Sequence, residues 1–207
     1  VHGLLNVLEV ARKSDIKNVV FSSTAAIYGL TDKVCVETDT PDPLNPYAVS
    51  KLAGEYLMKM YNDLYGIQTA SLRYFNVYGD RQPVKGQYAP VVGLFLEQFK
   101  RGEAFTIVGD GEQRRDFTHV NDVVRANIAA AERASDISGE IINVGTGTNH
   151  SVNQIANIIS NSYTKNFIPP RPAEARVTLA DISKAKKLLG YMPSIEISDW
   201  IDEYKVQ

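Results

Sequence analysis

Apolar positions in the opening stretch VHGLLNVLEVARKS recur with helical spacing. Leu4, Leu5, Val7, Leu8 and Ala11 share one face, which predicts a helix over residues 1–13. No capping sequence precedes that helix, so the chain reads as though cut within an element. The next segment, KNVVFSST, is a run of apolar and β-branched residues ending in three hydroxyls, the pattern of a buried parallel strand that stops at a site. From Ala25 to Pro46, with Gly29, Pro41, Pro43 and Pro46 inside it, a loop is expected. A helix from Pro46 to Tyr65 follows, opened by proline at its first turn and closed by Gly66, and IQTASLRYFNVYG then reads as strand and loop. Strand, helix, strand in this order implies a parallel sheet with helices on its faces, an α/β fold.

Beyond Gly79 the rhythm loosens. DRQPVKGQY reads as loop, PVVGLFLEQFKRG as helix, FTIVG as strand, and DGEQRRD as a turn into FTHV. The helix NDVVRANIAAAERA and the strand EIINVG restore the earlier alternation. The last third holds a helix whose SVNQ start gives Ser151 and Gln154 capping-box spacing, a Pro-rich turn IPPRP, and two short helices. In ADISKAKKLLGY, Asp181 or Ser183 marks a start and Gly190 a stop. The chain has no internal repeat or low-complexity segment.

With 207 residues, 44% of them hydrophobic, the chain can bury a sizeable core. Its 22 basic and 24 acidic residues leave a net charge of -2 with no long single-sign run, so neither nucleic acid nor an anionic membrane is an expected partner, whereas a small anionic ligand is compatible. The single cysteine, Cys35, excludes an internal disulfide framework; together with the lack of a cleavable signal or long apolar segment it leads us to expect a cytoplasmic protein.

Candidate chemistry begins with NPYAVSKLAGEYL, where Tyr47 and Lys51 stand four residues apart on one helical face. A tyrosine working as a base near neutrality needs its pKa lowered by about 3, roughly 4 kcal/mol. One cation at about 4 Å in an effective dielectric near 20 supplies an effect of that order. The same spacing also arises by chance in many helices. Its context is Ser22, Ser23 and Thr24 at the end of the preceding strand, where parallel α/β sheets place ligands, although hydroxyls at a strand end also serve turns and caps. His2, His119 and His150 are too scattered for a metal or triad, and His119 reads as a residue that satisfies buried backbone. VGDG and VGTGTN are turn glycines, and neither completes a dinucleotide-binding fingerprint.

In order and spacing, FSSTAAIYG, PYAVSK, LRYFNVYGDRQ, VGDGEQRRDFTHVNDV, INVGTG and RPAEARVTLADISKAKKLLGY resemble the extended short-chain dehydrogenases/reductases, and within them the UDP-glucose and UDP-N-acetylglucosamine 4-epimerases, over nearly the whole chain. The family's N-terminal GxxGxxG strand and turn is absent, so roughly 100 residues, about a domain's worth, are expected before Val1. The resemblance implies a Rossmann-like doubly wound parallel sheet, N-terminally truncated, with a smaller C-terminal α+β substrate-binding region. Residues 1–80 would belong to the NAD-binding domain and 81–207 mainly to the substrate domain, with 114–145 returning to the first.

The resemblance also implies roles. Tyr47 would be the catalytic base, Lys51 the residue that holds the nicotinamide ribose and lowers the tyrosine pKa, and Thr24 the partner of the reacting sugar hydroxyl. Ser22 and Tyr74 would lie near the nicotinamide of NAD. Asn76 would meet the sugar-nucleotide phosphates, with Arg115 and Arg171 clamping them, since guanidinium is always charged and bonds phosphate oxygens in pairs. Glu174 would accept from the uridine ribose, and Val91 and Thr106 would line the nucleotide pocket. Thr178 would face the sugar's C2 substituent, where a bulky tyrosine in related enzymes resembles a gate against acetamido groups; its hydroxyl is a candidate partner for the acetamide. The alternative for each arginine is a surface ion pair, while Glu174 could equally be a solvated loop residue and Thr178 only a β-branched strand residue.

Dehydratases of this superfamily carry Asp-Glu directly after the catalytic threonine, and the decarboxylases tend to carry an acid there; here those positions are Ala25 and Ala26. The implied reaction is therefore NAD-dependent 4-epimerisation of a UDP-sugar through a 4-keto intermediate. The competing expectations are a non-catalytic fragment or sugar-nucleotide-binding remnant, because these side chains supply no hydride chemistry without a cofactor, and another extended short-chain dehydrogenase such as a nucleotide-sugar dehydratase. A homodimer is expected for the complete protein, built from the helix of residues 1–13 and the Tyr47 helix, with Leu57, Met60, Tyr61 and Leu64 offered to the partner.

Overall fold

The 20-residue helix α2 (Pro46–Tyr65) illustrates how local signals set the frame. Asn45 accepts the Ala48 N–H at 2.9 Å, Pro46 occupies the first turn, and Gly66 ends the helix at φ 68°. Its neighbour α1 (His2–Lys13) packs beside it, and between the pair and the sheet lie Leu8, Ala11, Met58, Tyr61 and Ile67. The computed structural model describes residues 1–84, 89–171 and 174–206. Lys85–Tyr88 of the expected loop after Gly79, and Pro172 and Ala173 near the Pro-rich turn, lie outside the described residues.

The main sheet runs in the order β1 (Asn18–Thr24), β2 (Gln68–Tyr74), β7 (Glu140–Val144), all parallel. α1 and α2 cover one face and α4 (Val120–Glu132) the other, where Val123, Ala126 and Ala130 meet Leu72, Ile142 and Val144. Layers on both faces bury even the polar residues Thr69, Ser71 and Arg73 of β2, whose sequence QTASLRY is no apolar run. The register aligns Thr24 with Tyr74 and Tyr74 with Val144, so the three strands end together. α2 lies close against β1 because residue 54 is glycine; a Cβ there would come within 2.4 Å of the Phe21 ring.

The residue after Gly54 is a buried carboxylate. Glu55 accepts from Ser23 Oγ of β1 at 2.6 Å and from Arg73 Nε and Nη2 of β2 at 2.9 and 2.7 Å, and the guanidinium lies 4.8 Å from the Tyr28 ring centroid. Both partners are 2% exposed, so removing either one strands a buried charge at a cost of about 3–5 kcal/mol.

A second core lies under α3 (Val91–Arg101), α5 (Val152–Ile159) and α7 (Ile197–Val206), where Phe95, Phe105, Ile107, Ile155, Trp200 and Ile201 pack together. Its strands pair in twos. β3 (Asn76–Tyr78) and β6 (Phe117–His119) are parallel, as are β4 (Phe105–Val108) and β9 (Lys165–Ile168), whereas β5 (Arg114–Arg115) runs antiparallel to β8 (His150–Ser151). The capping box of Ser151 and Gln154 is formed, and α6 (Ser183–Leu189) ends at Gly190 in the left-handed region.

Three expectations change. The loop from Ala25 opens with a 3-10 turn over Ala25–Tyr28, β3, β5, β8 and β9 are too short to show a period, and Tyr61 belongs to the chain's own core rather than to a free surface. Leu57 is likewise partly buried against that core. His119 caps α4, its Nδ1 accepting the Asn121 N–H, in keeping with a backbone-satisfying role. No helix among the described residues is long and apolar enough to cross a membrane.

Candidate active site

The ends of β1 and β2 and the first turns of α2 converge. Lys51 Nζ donates to the Ser22 carbonyl at 2.7 Å and stands 5.8 Å from the Tyr47 ring centroid, on the face shared by residues four apart. Partial burial lowers the lysine's pKa. The Tyr47 side chain is open, the residue 55% exposed. Tyr74 donates its hydroxyl proton to Asn127 Oδ1 at 2.8 Å, so the 3.0 Å contact between Ser22 Oγ and Tyr74 Oη is donated by the serine. Thr24 accepts the Ala26 N–H at 3.2 Å, which leaves its own proton to give.

Thr24, Tyr74, Asn76, Arg115 and Thr178 line one cavity of about 240 Å³, with Ala25, Ala26 and Asn45 also in its wall. Tyr47 and Lys51 are not in that wall; Tyr47 follows the lining residue Asn45 by two positions. A second cavity of about 250 Å³ shares Asn76 and Arg115 with the first and adds Val91, Thr106, Arg171 and Glu174. The two are compartments of one groove with Arg115 at their junction. Thr24, Asn76, Val91, Thr106, Arg115, Arg171, Glu174 and Thr178, all expected to contact the sugar nucleotide, thus line this groove, while Ser22, Tyr47 and Lys51 form a group linked through Ser22 to Tyr74 in its wall.

Arg115 is held on β5. Its Nη1 donates to the Arg114 carbonyl at 2.9 Å and its Nη2 to Glu174 Oε1 at 3.0 Å, and its side chain is 12% exposed. Burial lowers the guanidinium pKa, opposed by the Glu174 charge. The Thr106 hydroxyl accepts from Gln98 Nε2 at 2.9 Å, which leaves its own proton and its methyl to offer the cavity. The Thr178 hydroxyl donates to Asn76 Oδ1 at 3.2 Å and accepts the Asp116 N–H at 3.3 Å. The hydroxyl expected to meet an acetamide is thereby engaged within the protein, and what Thr178 contributes is space.

Two functional supports escaped the sequence reading. Asp116, fully buried, accepts from the N–H groups of Thr146, Gly147 and Ala180 at 2.8, 3.1 and 3.2 Å and from the Thr146 hydroxyl at 2.8 Å. It thereby ties the VGTG turn and the segment carrying Thr178 to the chain directly after Arg115, and burial pushes its carboxyl pKa up. That turn's N–H groups are spent on Asp116, which explains why it is no phosphate loop. The other is Glu55, which anchors α2 to β1 and β2; its signal was available, since Tyr47, Lys51 and Glu55 follow at successive intervals of four.

The NAD dependent epimerase/dehydratase family model matches residues 1–145. The chain belongs to this family. Among solved epimerases of the family's fold, the UDP-N-acetylglucosamine 4-epimerase from Methanobrevibacter ruminantium M1, in complex with UDP-N-acetylmuramic acid, superposes with a TM-score of 0.93 at 32% identity, covering 100% of this chain and 67% of that one. The UDP-glucose 4-epimerase of Thermotoga maritima, with UDP-glucose, gives 0.92 at 38% identity, covering 99% and 67%. The UDP-glucuronic acid 4-epimerase from Bacillus cereus, in complex with UDP-glucuronic acid and NAD, gives 0.88 at 36%, covering 99% and 66%. This epimerase-family chain spans 61–65% of the length of the curated relatives it matches.

Proposed function

We propose that the full-length protein is an NAD-dependent 4-epimerase of UDP-hexoses, acting on UDP-glucose and UDP-galactose or their N-acetyl forms. The observation that carries this reading is the linked group Tyr47, Lys51, Ser22 and Tyr74 at the edge of a groove walled by Thr24, Asn76, Arg115 and Thr178. The donor set suits a nicotinamide ribose: Lys51 spends one of its three N–H donors on Ser22 and keeps two. NAD, when bound, supplies a hydride acceptor that is restored within each turnover, so the net redox change is nil.

The protein's own residues do the rest. Thr24 orients the sugar's C4 hydroxyl, and Tyr47, on the helix face it shares with Lys51, takes the hydroxyl proton. When the 4-keto sugar presents its opposite face, Tyr47 returns the proton to the new alcohol. Arg115 and Arg171 bind the diphosphate, Asn76 assists them, Glu174 accepts from the ribose, and Val91 and Thr106 flank the uracil. Ala25 and Ala26 in the cavity wall supply no acid or base for the elimination that a dehydratase needs, which favours epimerisation.

In this reading residues 1–80 and 114–145 belong with the cofactor-binding domain, the remainder of 81–207 with the substrate domain, and the protein is a cytoplasmic homodimer. Support for the dimer comes from two exposed apolar faces at helical spacing: Val49, Tyr56, Met60 and Leu64 on α2, and Val7 with Val10 on α1. The test is conversion of UDP-glucose or UDP-N-acetylglucosamine to the C4 epimer by the full-length protein, followed by chromatography. Failure to convert either sugar with NAD bound overturns the proposal.

A further inference from the structure

Arg115 poses a question that the proposed reaction leaves open. Its guanidinium is nearly buried at the junction of the two compartments, where a cation without a counterion is costly. Glu174 supplies that counterion, through a single contact of 3.0 Å and from a side chain that is itself 32% exposed. The backbone just beyond Glu174 is fixed to β5, with Arg114 N–H donating to Arg176 O at 2.8 Å and Thr178 N–H to Arg114 O at 3.0 Å, which keeps the carboxylate within reach of Arg115. A one-point, partly solvated pair of this kind is weak, whereas a diphosphate brings more charge and can engage a guanidinium at two points.

We propose that Glu174 is a stand-in anion, occupying the phosphate position on Arg115 until a nucleotide diphosphate displaces it. This rests on the nucleotide-sugar reading given above. Two anions repel at one guanidinium, so ligand entry drives the carboxylate off. Because Glu174 also lines the neighbouring cavity of about 380 Å³ with Arg171 and Gln113, it stays in the groove wall after release, free to accept from a ribose hydroxyl. The stand-in balances the Arg115 charge and holds the side chain in place, and it sets a threshold that singly charged anions pass less readily than a diphosphate.

The two roles of Glu174 act in opposite directions on different probes, which makes them separable. Inorganic pyrophosphate has no ribose and reports displacement alone; UDP reports displacement and ribose binding together. In the full-length, NAD-loaded protein, calorimetric titration is expected to show pyrophosphate binding about three- to tenfold tighter to Glu174→Gln than to the parent. UDP should gain less, so that its preference over pyrophosphate narrows. In an Arg115→Met background the same Glu174→Gln change should leave pyrophosphate affinity unaltered. Glu174→Ala carries the same expectation should the glutamine variant fold poorly. Pyrophosphate affinity that is unchanged or weaker in Glu174→Gln, or a gain that persists without Arg115, overturns the stand-in role while UDP binding by the parent upholds the nucleotide site. A parent that binds neither probe at millimolar concentration removes the nucleotide-sugar reading and this inference with it.

Discussion

The phenol of Tyr47 and the hydroxyl of Thr178 mark the two ends of the proposed chemistry, and each admits a single-residue test. In the full-length protein Tyr47→Phe is expected to lower kcat for epimerisation by about 100-fold or more while leaving UDP binding nearly unchanged, because the oxygen moves a proton and adds little to affinity. Steady-state kinetics with a UDP titration checks both halves, and activity within about tenfold of the parent removes the base assignment. Thr178 sits in the cavity wall with its hydroxyl engaged by Asn76 and Asp116, so its effect on specificity is one of volume. The parent is expected to accept UDP-N-acetylglucosamine, and Thr178→Tyr to lower its kcat/KM relative to that of UDP-glucose by more than tenfold. Excluding a whole acetamido group should exceed the roughly 1–3 kcal/mol that one methylene is worth. An unchanged ratio, or a parent that already rejects the acetylated sugar, would rule the steric account out.

Between elements, α1 and α2 are joined by more than apolar packing. Glu9 of α1 receives the Tyr61 hydroxyl of α2 at 2.6 Å and is paired with Arg12 at 2.9 Å. The bond from Arg12, followed by that from Tyr61, holds the Glu9 carboxyl down at about 2, against an ordinary value of 4.5. A carboxylate whose pKa is depressed by folding stabilises the fold above its unfolded pKa and loses that contribution as pH falls through the folded value. Thermal unfolding midpoints of the full-length protein should therefore drop between pH 4.5 and about 2 more steeply in the parent than in Glu9→Gln. Parallel curves would show that this link does not contribute.

At the scale of the molecule, the apolar seams on α1 and α2 have no cover within the described chain. Leu64 is 66% exposed and Tyr56 64%, and pairing both helices with their symmetry mates would bury these together in a four-helix contact. Sedimentation of the full-length protein at micromolar concentration should give a dimer, and Tyr56→Glu combined with Leu64→Glu should give a folded monomer. A monomeric parent would refute the interface. The same seams show where a sequence pattern misleads, for Leu57 and Tyr61 read as surplus apolar residues and yet are taken up by α1.

Local signals in the chain determined the helices, the three parallel strands and their ends, since caps, glycine stops and apolar periodicity act over a few residues and need no distant partner. Asn45, Gly66, the Ser151 box and Gly190 all sit where their chemistry requires. Motif order also named the groove residues, from Thr24 to Thr178. Only the tertiary structure decided how those residues are engaged: Thr178 already bonded to Asn76, Arg115 already paired with Glu174, and Asp116 collecting N–H groups from two distant segments. These contacts span 30 to 102 positions along the chain. Buried polar groups must find partners wherever the fold brings them, and no local pattern in the sequence encodes which partner that will be.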